Sequence, residues 1–299
     1  MNNKEDIIQK KTADLLKLYN KGRLSDLINE AKKLINEYPQ AFIIWNLLGA
    51  ASKRLGKTDQ AFASLKKVTE LNPKYADGHN NLGVILQDLG RFDESIDSFK
   101  TALSLKPKYS EACNNLAISF KKNRNLEKSV NLFNKAISLN PNYAEAYNNL
   151  ATTLKEQGKT DEAIELFKKA ISLKPNYAEA YYNMGVTFKY QGKIEEEIKA
   201  YNQAIAIKSN YAEAHNNIGA IYQKQGEIDE AINAYNKALS IKPDYADAYW
   251  NLAGVAENIG KAKQSLEKCL KGDPNYLTAK LTLSALQFYE GKKSDYNAL

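Results

Sequence analysis

Cysteine, histidine and long apolar runs are scarce in this chain of 299 residues. The only two cysteines, Cys113 and Cys269, cannot form a disulfide framework, and they lie several repeats apart in the pattern described below. We therefore predict that both are reduced and buried. The longest apolar run, residues 41–51, is well short of the roughly 20 residues that span a bilayer. Residues 1–10 hold no apolar stretch of a secretory signal, so we expect a cytoplasmic protein that no membrane holds.

Arginine is also scarce, because lysine carries almost all of the excess positive charge. The formal net charge is +7 and the pI is near 9.0, yet arginine occurs only at positions 23, 54, 91 and 124. Bidentate contacts with phosphate and direct contacts with bases favour arginine over lysine. The charge is therefore weak evidence for a nucleic-acid partner, and we expect a different kind of ligand.

The sequence lacks the residue sets of the common catalytic and metal sites. The only histidines, His79 and His215, stand at one equivalent place in two repeats, where other repeats have Trp45, Cys113 or a tyrosine. This equivalence indicates packing residues. The sequence has no metal-site spacing of cysteine and histidine, and no glycine-rich phosphate loop after a strand. We predict a protein that is not an enzyme and that carries no metal and no cofactor.

What the sequence does have is a repeat of 34 residues. Residues 144–177, 178–211 and 212–245 align without a gap. The unit that follows them is shorter by three residues. Units are predicted to begin near residues 8, 42, 76, 110, 144, 178, 212 and 246, and a partial unit begins at 277.

Each unit has the pattern of two amphipathic helices joined by a turn. The apolar stripe of the first helix in the unit at 144 consists of Tyr147, Leu150, Ala151 and Leu154. Gly158 is expected to end this helix, and Thr160 or Asp161 to cap the next one. Neither helix can cover its stripe alone, so the units must stack on one another. The sequence predicts one all-α domain over residues 1–299.

The motif within each unit resembles the tetratricopeptide repeat (TPR). In the unit at 42, the residues in the register of that motif are Trp45, Leu48, Gly49, Gly56, Ala61 and Pro73. The resemblance covers about residues 8–290. It implies a right-handed superhelical solenoid of stacked helix-turn-helix repeats, with a concave wall built from the first helices. It also implies a protein–protein interaction scaffold that binds a peptide or protein segment in the concave groove.

The first helices repeat one polar residue that packing does not explain. Position 6, counted from the first residue of each unit, is asparagine in six successive units: Asn81, Asn115, Asn149, Asn183, Asn217 and Asn251. At 100° per residue, position 6 lies opposite the apolar stripe, so we expect these side chains on the inner wall of the groove. An amide offers two donors and one acceptor, which match the C=O and N–H of an extended backbone.

This row of side chains is similar to the asparagine ladder of O-linked N-acetylglucosamine transferases, and the resemblance implies that it binds a peptide. We call the six residues the asparagine ladder. The alternative is that each amide bonds only to neighbouring backbone or to water. The asparagines at position 5 lie nearer the side of the helix and are expected to bond to the adjacent unit: Asn80, Asn114, Asn148 and Asn216.

Two aromatic residues are further candidates for contact with a peptide. Tyr190, at position 13, is expected on the inner face, where an exposed aromatic side chain makes a good anchor. Trp250 replaces the position 5 asparagine of its unit, as Tyr182 does in another unit, and packing between units is the alternative for both rings. Most lysines fall on second helices, so we expect little positive charge inside the groove.

Two departures from the motif leave alternatives open. Glu197 stands where alanine belongs, and we predict that its carboxylate reaches solvent, the alternative being contact with a ligand. The partial unit from Leu277 has apolar residues on more than one face, which favours a longer parent chain. The alternative function is therefore the N-terminal substrate-recognition arm of a glycosyl-, sulfo- or methyltransferase with its catalytic domain downstream. No feature predicts the partner's identity or an oligomeric state.

Overall fold

The computed structural model describes residues 2–297, and side chains are described for residues 5–288. Within these ranges the chain forms helices joined by short turns and contains no strand. The helices are α1 (Asn2–Asn20), α2 (Leu24–Glu37), α3 (Phe42–Arg54), α4 (Thr58–Leu71), α5 (Ala76–Asp88), α6 (Phe92–Leu105), α7 (Ser110–Lys122), α8 (Leu126–Leu139), α9 (Ala144–Glu156), α10 (Thr160–Leu173), α11 (Ala178–Gln191), α12 (Ile194–Ile207), α13 (Ala212–Gln225), α14 (Ile228–Ile241), α15 (Ala246–Gly254), α16 (Ile259–Gly272) and α17 (Leu277–Asn297).

The predicted repeat boundaries agree with these helices. First helices begin at each predicted start from residue 42 to residue 277, and only α1 begins earlier than expected, at Asn2. The all-α prediction is confirmed. Gly158 has a left-handed backbone with φ +79° in the turn after α9, as a residue that ends a helix often does. The predicted cap by Thr160 or Asp161 is wrong, because the N-cap of α10 is Lys159, without a side-chain bond.

The chain divides into two compact units, residues 1–158 and 159–299. Within each unit a first helix packs on the second helix of its own repeat and on that of the preceding repeat. One solenoid that continues over residues 1–299 stays a prediction.

A small residue at position 8 lets the two helices of a repeat approach closely. A Cβ atom on Gly83 would lie 2.7 Å from Cε1 of Phe99, a ring that is fully buried. In the second compact unit, Gly185 has the same relation to Tyr201. The glycine is therefore a packing residue, which brings the first helix against the aromatic side chain at position 24.

Side-chain bonds to the turns orient the first helices. Trp45 Nε1 donates to the carbonyl oxygen of Pro39 at 3.0 Å, and His79 Nε2 lies 2.9 Å from that of Pro73. This contact supports the prediction that His79 has a structural role. Cys113 and Cys269 are free and fully buried, as predicted.

Candidate functional site

In the first compact unit, the asparagine ladder takes part in a series of amide–amide hydrogen bonds between repeats. Each position 6 Nδ2 donates to the Oδ1 of the position 5 asparagine in the preceding repeat. The pairs are Asn81 to Asn46 at 3.0 Å, Asn115 to Asn80 at 3.2 Å and Asn149 to Asn114 at 3.1 Å. The expectation that position 5 bonds to the adjacent unit is confirmed for Asn80 and Asn114, which are buried.

In the second compact unit, one ladder asparagine makes the same amide–amide bond and another bonds to tyrosine hydroxyl groups instead. Asn251 Nδ2 donates to Asn216 Oδ1 at 2.9 Å. Asn217 instead donates to two hydroxyl groups, at 3.4 Å to Tyr182 Oη and at 3.2 Å to Tyr201 Oη. Tyr182 stands where other repeats have asparagine, so its hydroxyl takes over the acceptor role.

Three of the ladder residues offer a carbonyl oxygen and an N–H to a ligand. All six are half-buried, including Asn183. Asn81, Asn149 and Asn251 each donate one bond to the preceding repeat, and no described residue donates to their Oδ1 atoms. Each of these amides therefore keeps a carbonyl oxygen and one N–H. We call the surface of the first helices that carries the ladder the ladder face.

Lysines recur at position 12 of the first helices, a feature that the sequence analysis missed. Lys53 Nζ lies 3.8 Å from Asp88, whereas Lys121 Nζ lies 2.9 Å from both Glu156 Oε1 and Thr152 Oγ1. The signal was present in the sequence, because position 12 is also lysine in the units at 144 and 178. Because carboxylates pair with Lys53 and Lys121, little positive charge inside the groove stays a prediction.

Lys155 lacks the carboxylate partner that Lys53 and Lys121 have. Among the described residues, its ammonium group has no ion pair and no hydrogen bond. Burial lowers the pKa of Lys155, and the nearby charge of Lys121 lowers it further, although Glu156 opposes the shift. An anionic group on a ligand would relieve both effects.

Glu197 is only 4% exposed, so the prediction that its carboxylate reaches solvent is wrong. Position 20 faces the close contact between the two helices of the repeat, which leaves no path to water. The Tyr201 hydroxyl bonds to this carboxylate. Burial raises the pKa of Glu197, while Lys189, the bond from Tyr201 and Lys224 act in the opposite direction. A tyrosine at position 24 thus supplies the partner that the buried acid needs.

The two aromatic candidates have different surroundings. Tyr190 is 73% exposed. Trp250 is half-buried, with its ring centroid 5.7 Å from that of Tyr276. Tyr182 stacks on Tyr211 at 4.9 Å, so packing describes both rings at position 5. Trp250 also lines a cavity beside Asn251, and contact of either candidate with a peptide stays a prediction.

Two further classes of site are not seen within the described part of the chain. No helix there is long and apolar enough to cross a membrane. Nor do three or more histidine, cysteine, aspartate or glutamate side chains gather there as ligands for a metal ion.

Solved structures with similar folds include other helical-repeat proteins. A chain of the crystal structure of the APC/C hetero-tetramer Cut9–Hcn1 matches with a TM-score of 0.69 and 18% identity, over 94% of this chain and 55% of that chain. The pilF structure of Pseudomonas aeruginosa matches with a TM-score of 0.62 and 18% identity, over 70% and 97% of the two chains. YrrB, described as a TPR protein with an unusual peptide-binding site, matches with a TM-score of 0.47 and 24% identity, over 62% and 95%.

The chain thus spans only about half of the Cut9–Hcn1 chain that it matches. No curated protein is significantly similar to it in sequence. Models of the TPR repeat match residues 49–90, 152–192 and 187–226, and models of the tetratricopeptide repeat match residues 76–109, 110–143, 132–165 and 212–245. These matches together cover most of the chain, and those over residues 76–109, 110–143 and 212–245 each coincide with one helix pair described above, so the chain belongs to the tetratricopeptide repeat family.

Proposed function

We propose that this protein binds an extended segment of another protein along the ladder face, in the groove that the first helices are expected to line. The repeat architecture is typical of non-catalytic protein-interaction scaffolds. The observation that carries the proposal is the partly used amide at position 6. Its bond to the preceding repeat holds the side chain in place, and its oxygen and second N–H stay available to a guest backbone.

The spacing of the repeat suits an extended guest. Neighbouring helices pack about 8–10 Å apart, and an extended chain advances roughly 3.3 Å per residue. One ladder amide therefore meets the guest about every third residue. A contact of this kind recognises backbone groups that all sequences share, so the side chains around the ladder must supply the specificity.

Replacement of the ladder asparagines tests this proposal. Peptides that bind the wild-type protein are selected from a phage-displayed library of random sequences, and their affinities are measured by fluorescence anisotropy. We expect a variant with alanine at Asn81, Asn115 and Asn149 to bind them roughly 100-fold more weakly, at about 1 kcal/mol for each hydrogen bond.

The matched control changes three exposed asparagines of second helices to alanine, namely Asn29, Asn131 and Asn134. This variant should keep the wild-type affinity. Circular dichroism at the assay temperature must show that both variants are folded. Equal binding by the ladder variant and the wild type would refute the proposed role of the ladder.

We propose the substrate-recognition arm of a larger transferase as a second function, on a different observation. Leu277, Leu281 and Phe288 of α17 are exposed, and a further folded segment of the same polypeptide would cover them. In this case the ladder face would present a protein substrate to the catalytic domain. Mass spectrometry of the protein purified from its native source tests the idea, because a chain no longer than 299 residues would exclude it.

A further inference from the structure

A cavity of about 380 Å³ opens on the ladder face beside Asn251, within the second compact unit. Its walls include Trp250, Leu266 and Leu286, and the polar lining residues are Gln223, Asn251 and Thr282. None of the residues that line it is charged. We call this cavity the apolar pocket.

The apolar pocket exists because its repeat is short. Helix α15 has 9 residues and ends at Gly254, whereas the other first helices from α3 to α13 have 13 or 14. In the units at 42, 76 and 110, the side chain at position 12 reaches a residue of the next first helix. Gln87 Nε2 of α5 thus donates to Asn115 O and to Ser119 Oγ of α7, both at 2.7 Å.

The residue at position 12 of the short repeat cannot make this crossing. Glu257 lies beyond the end of α15, and its carboxylate pairs with Lys261 Nζ at 2.6 Å. The space that a glutamine or lysine side chain bridges elsewhere is therefore open between α15 and α17. Ala253, Gly254 and Ala262 are too small to fill it.

We propose that the apolar pocket binds one bulky, uncharged side chain of the guest segment, such as leucine, methionine or phenylalanine. The inference rests on the proposed function, since the guest on the ladder face supplies this side chain. The volume is within the usual range of about 300–1,000 Å³ for ligand pockets. Asn251 Oδ1, which accepts no bond from a described residue, is available to the guest's backbone beside the pocket.

The lack of charged residues in the apolar pocket disfavours a charged guest side chain. A lysine or glutamate side chain in the pocket would lose its hydration without meeting an opposite charge. An apolar side chain meets the indole of Trp250 and the leucine walls instead. Full burial of a leucine or phenylalanine side chain corresponds to a gain of about 10- to 100-fold in affinity.

The test uses the two tryptophans of the chain as probes. The protein is labelled with 5-fluorotryptophan, and the two fluorine signals are assigned with the Trp45→Phe variant. Three capped peptides of serine, threonine and alanine differ only in the central residue, which is leucine, serine or lysine. We expect the leucine peptide to shift the Trp250 signal saturably and to bind at least tenfold more tightly than the other two, without an effect on Trp45.

Variants that fill the pocket complete the test. Ala262→Leu places a larger side chain among the lining residues and should abolish the preference for leucine. Should this variant fail to fold, Thr282→Phe obstructs the pocket from an exposed position. Ala206→Leu, the same change at an exposed position of α12, is the control and should bind as the wild type does.

The inference is overturned if the wild type does not distinguish leucine from serine, or if the folded Ala262→Leu or Thr282→Phe variant retains the preference. Failure of the proposed function looks different. In that case alanine substitution of the ladder leaves library-selected peptides bound, whereas the Trp250 signal still responds to the leucine peptide.

Discussion

The bond between Asn149 and Asn114 predicts that alanine at position 149 destabilises the protein. Asn149 Nδ2 lies 3.1 Å from Asn114 Oδ1, and Asn114 is only 4% exposed, so the substitution leaves a buried acceptor without its donor. Such a group costs about 1–3 kcal/mol, whereas alanine improves the helix by at most about 0.7 kcal/mol. We expect a net loss of about 0.3–2.3 kcal/mol in the free energy of unfolding.

Urea denaturation followed by far-UV circular dichroism measures this loss. The control is Asn134→Ala, at an exposed position of α8, which should be neutral or slightly stabilising. The double variant Asn114→Ala/Asn149→Ala removes both partners, and the double-mutant cycle should give a coupling of about 0.5–1.5 kcal/mol. Because repeat arrays can unfold in parts, hydrogen exchange of the amides in α7 and α9 should report the same order of stability locally.

The opposite result is informative. An Asn149→Ala variant as stable as the wild type, without coupling to Asn114, would show that the amide does not hold the neighbouring repeat. The position 6 side chain would then be entirely available to a ligand, as helix geometry alone suggests.

Two further predictions follow from buried charges. Burial raises the pKa of Glu197 in the folded chain above its ordinary value of 4.5. Protonation of Glu197 therefore stabilises the fold, and this contribution is complete below pH 4.5. It is lost as the pH rises through the pKa of the folded state. Urea midpoints should therefore fall with rising pH for the wild type relative to Glu197→Gln, and parallel profiles would contradict the argument. Lys121→Gln should raise the pKa of Lys155 by removal of a like charge, which ¹³C NMR titration of the lysine side chains measures; an unchanged or lowered pKa would refute this coupling.

The helix starts could be read from the sequence because each depends on a local signal. An apolar stripe at helical spacing and a turn glycine such as Gly158 recur in most units. This repetition makes the helix boundaries clear in the sequence. The same local reasoning failed for the cap of α10. Lys159 takes that place because the turn backbone, rather than a side-chain bond, begins the second helix.

The candidate site was only partly predictable. Helix geometry placed position 6 opposite the apolar stripe, and the structure leaves Asn149 half-buried rather than fully exposed. That geometry describes one helix, so it could not show that the next first helix brings the amide against Asn114. The burial of Glu197 escaped prediction for the same reason, since its surroundings come from other turns and helices.

The sequence by itself determined the repeat, the all-α class and the helix starts, because these features are set by residues within a few positions of one another. Only the tertiary structure decided what the amides do. The ladder bonds join residues 35 apart, and the apolar pocket needs side chains from α13, α15, α16 and α17. Contacts of this kind depend on the distance between neighbouring helices. The spacing of residues along one helix does not give that distance.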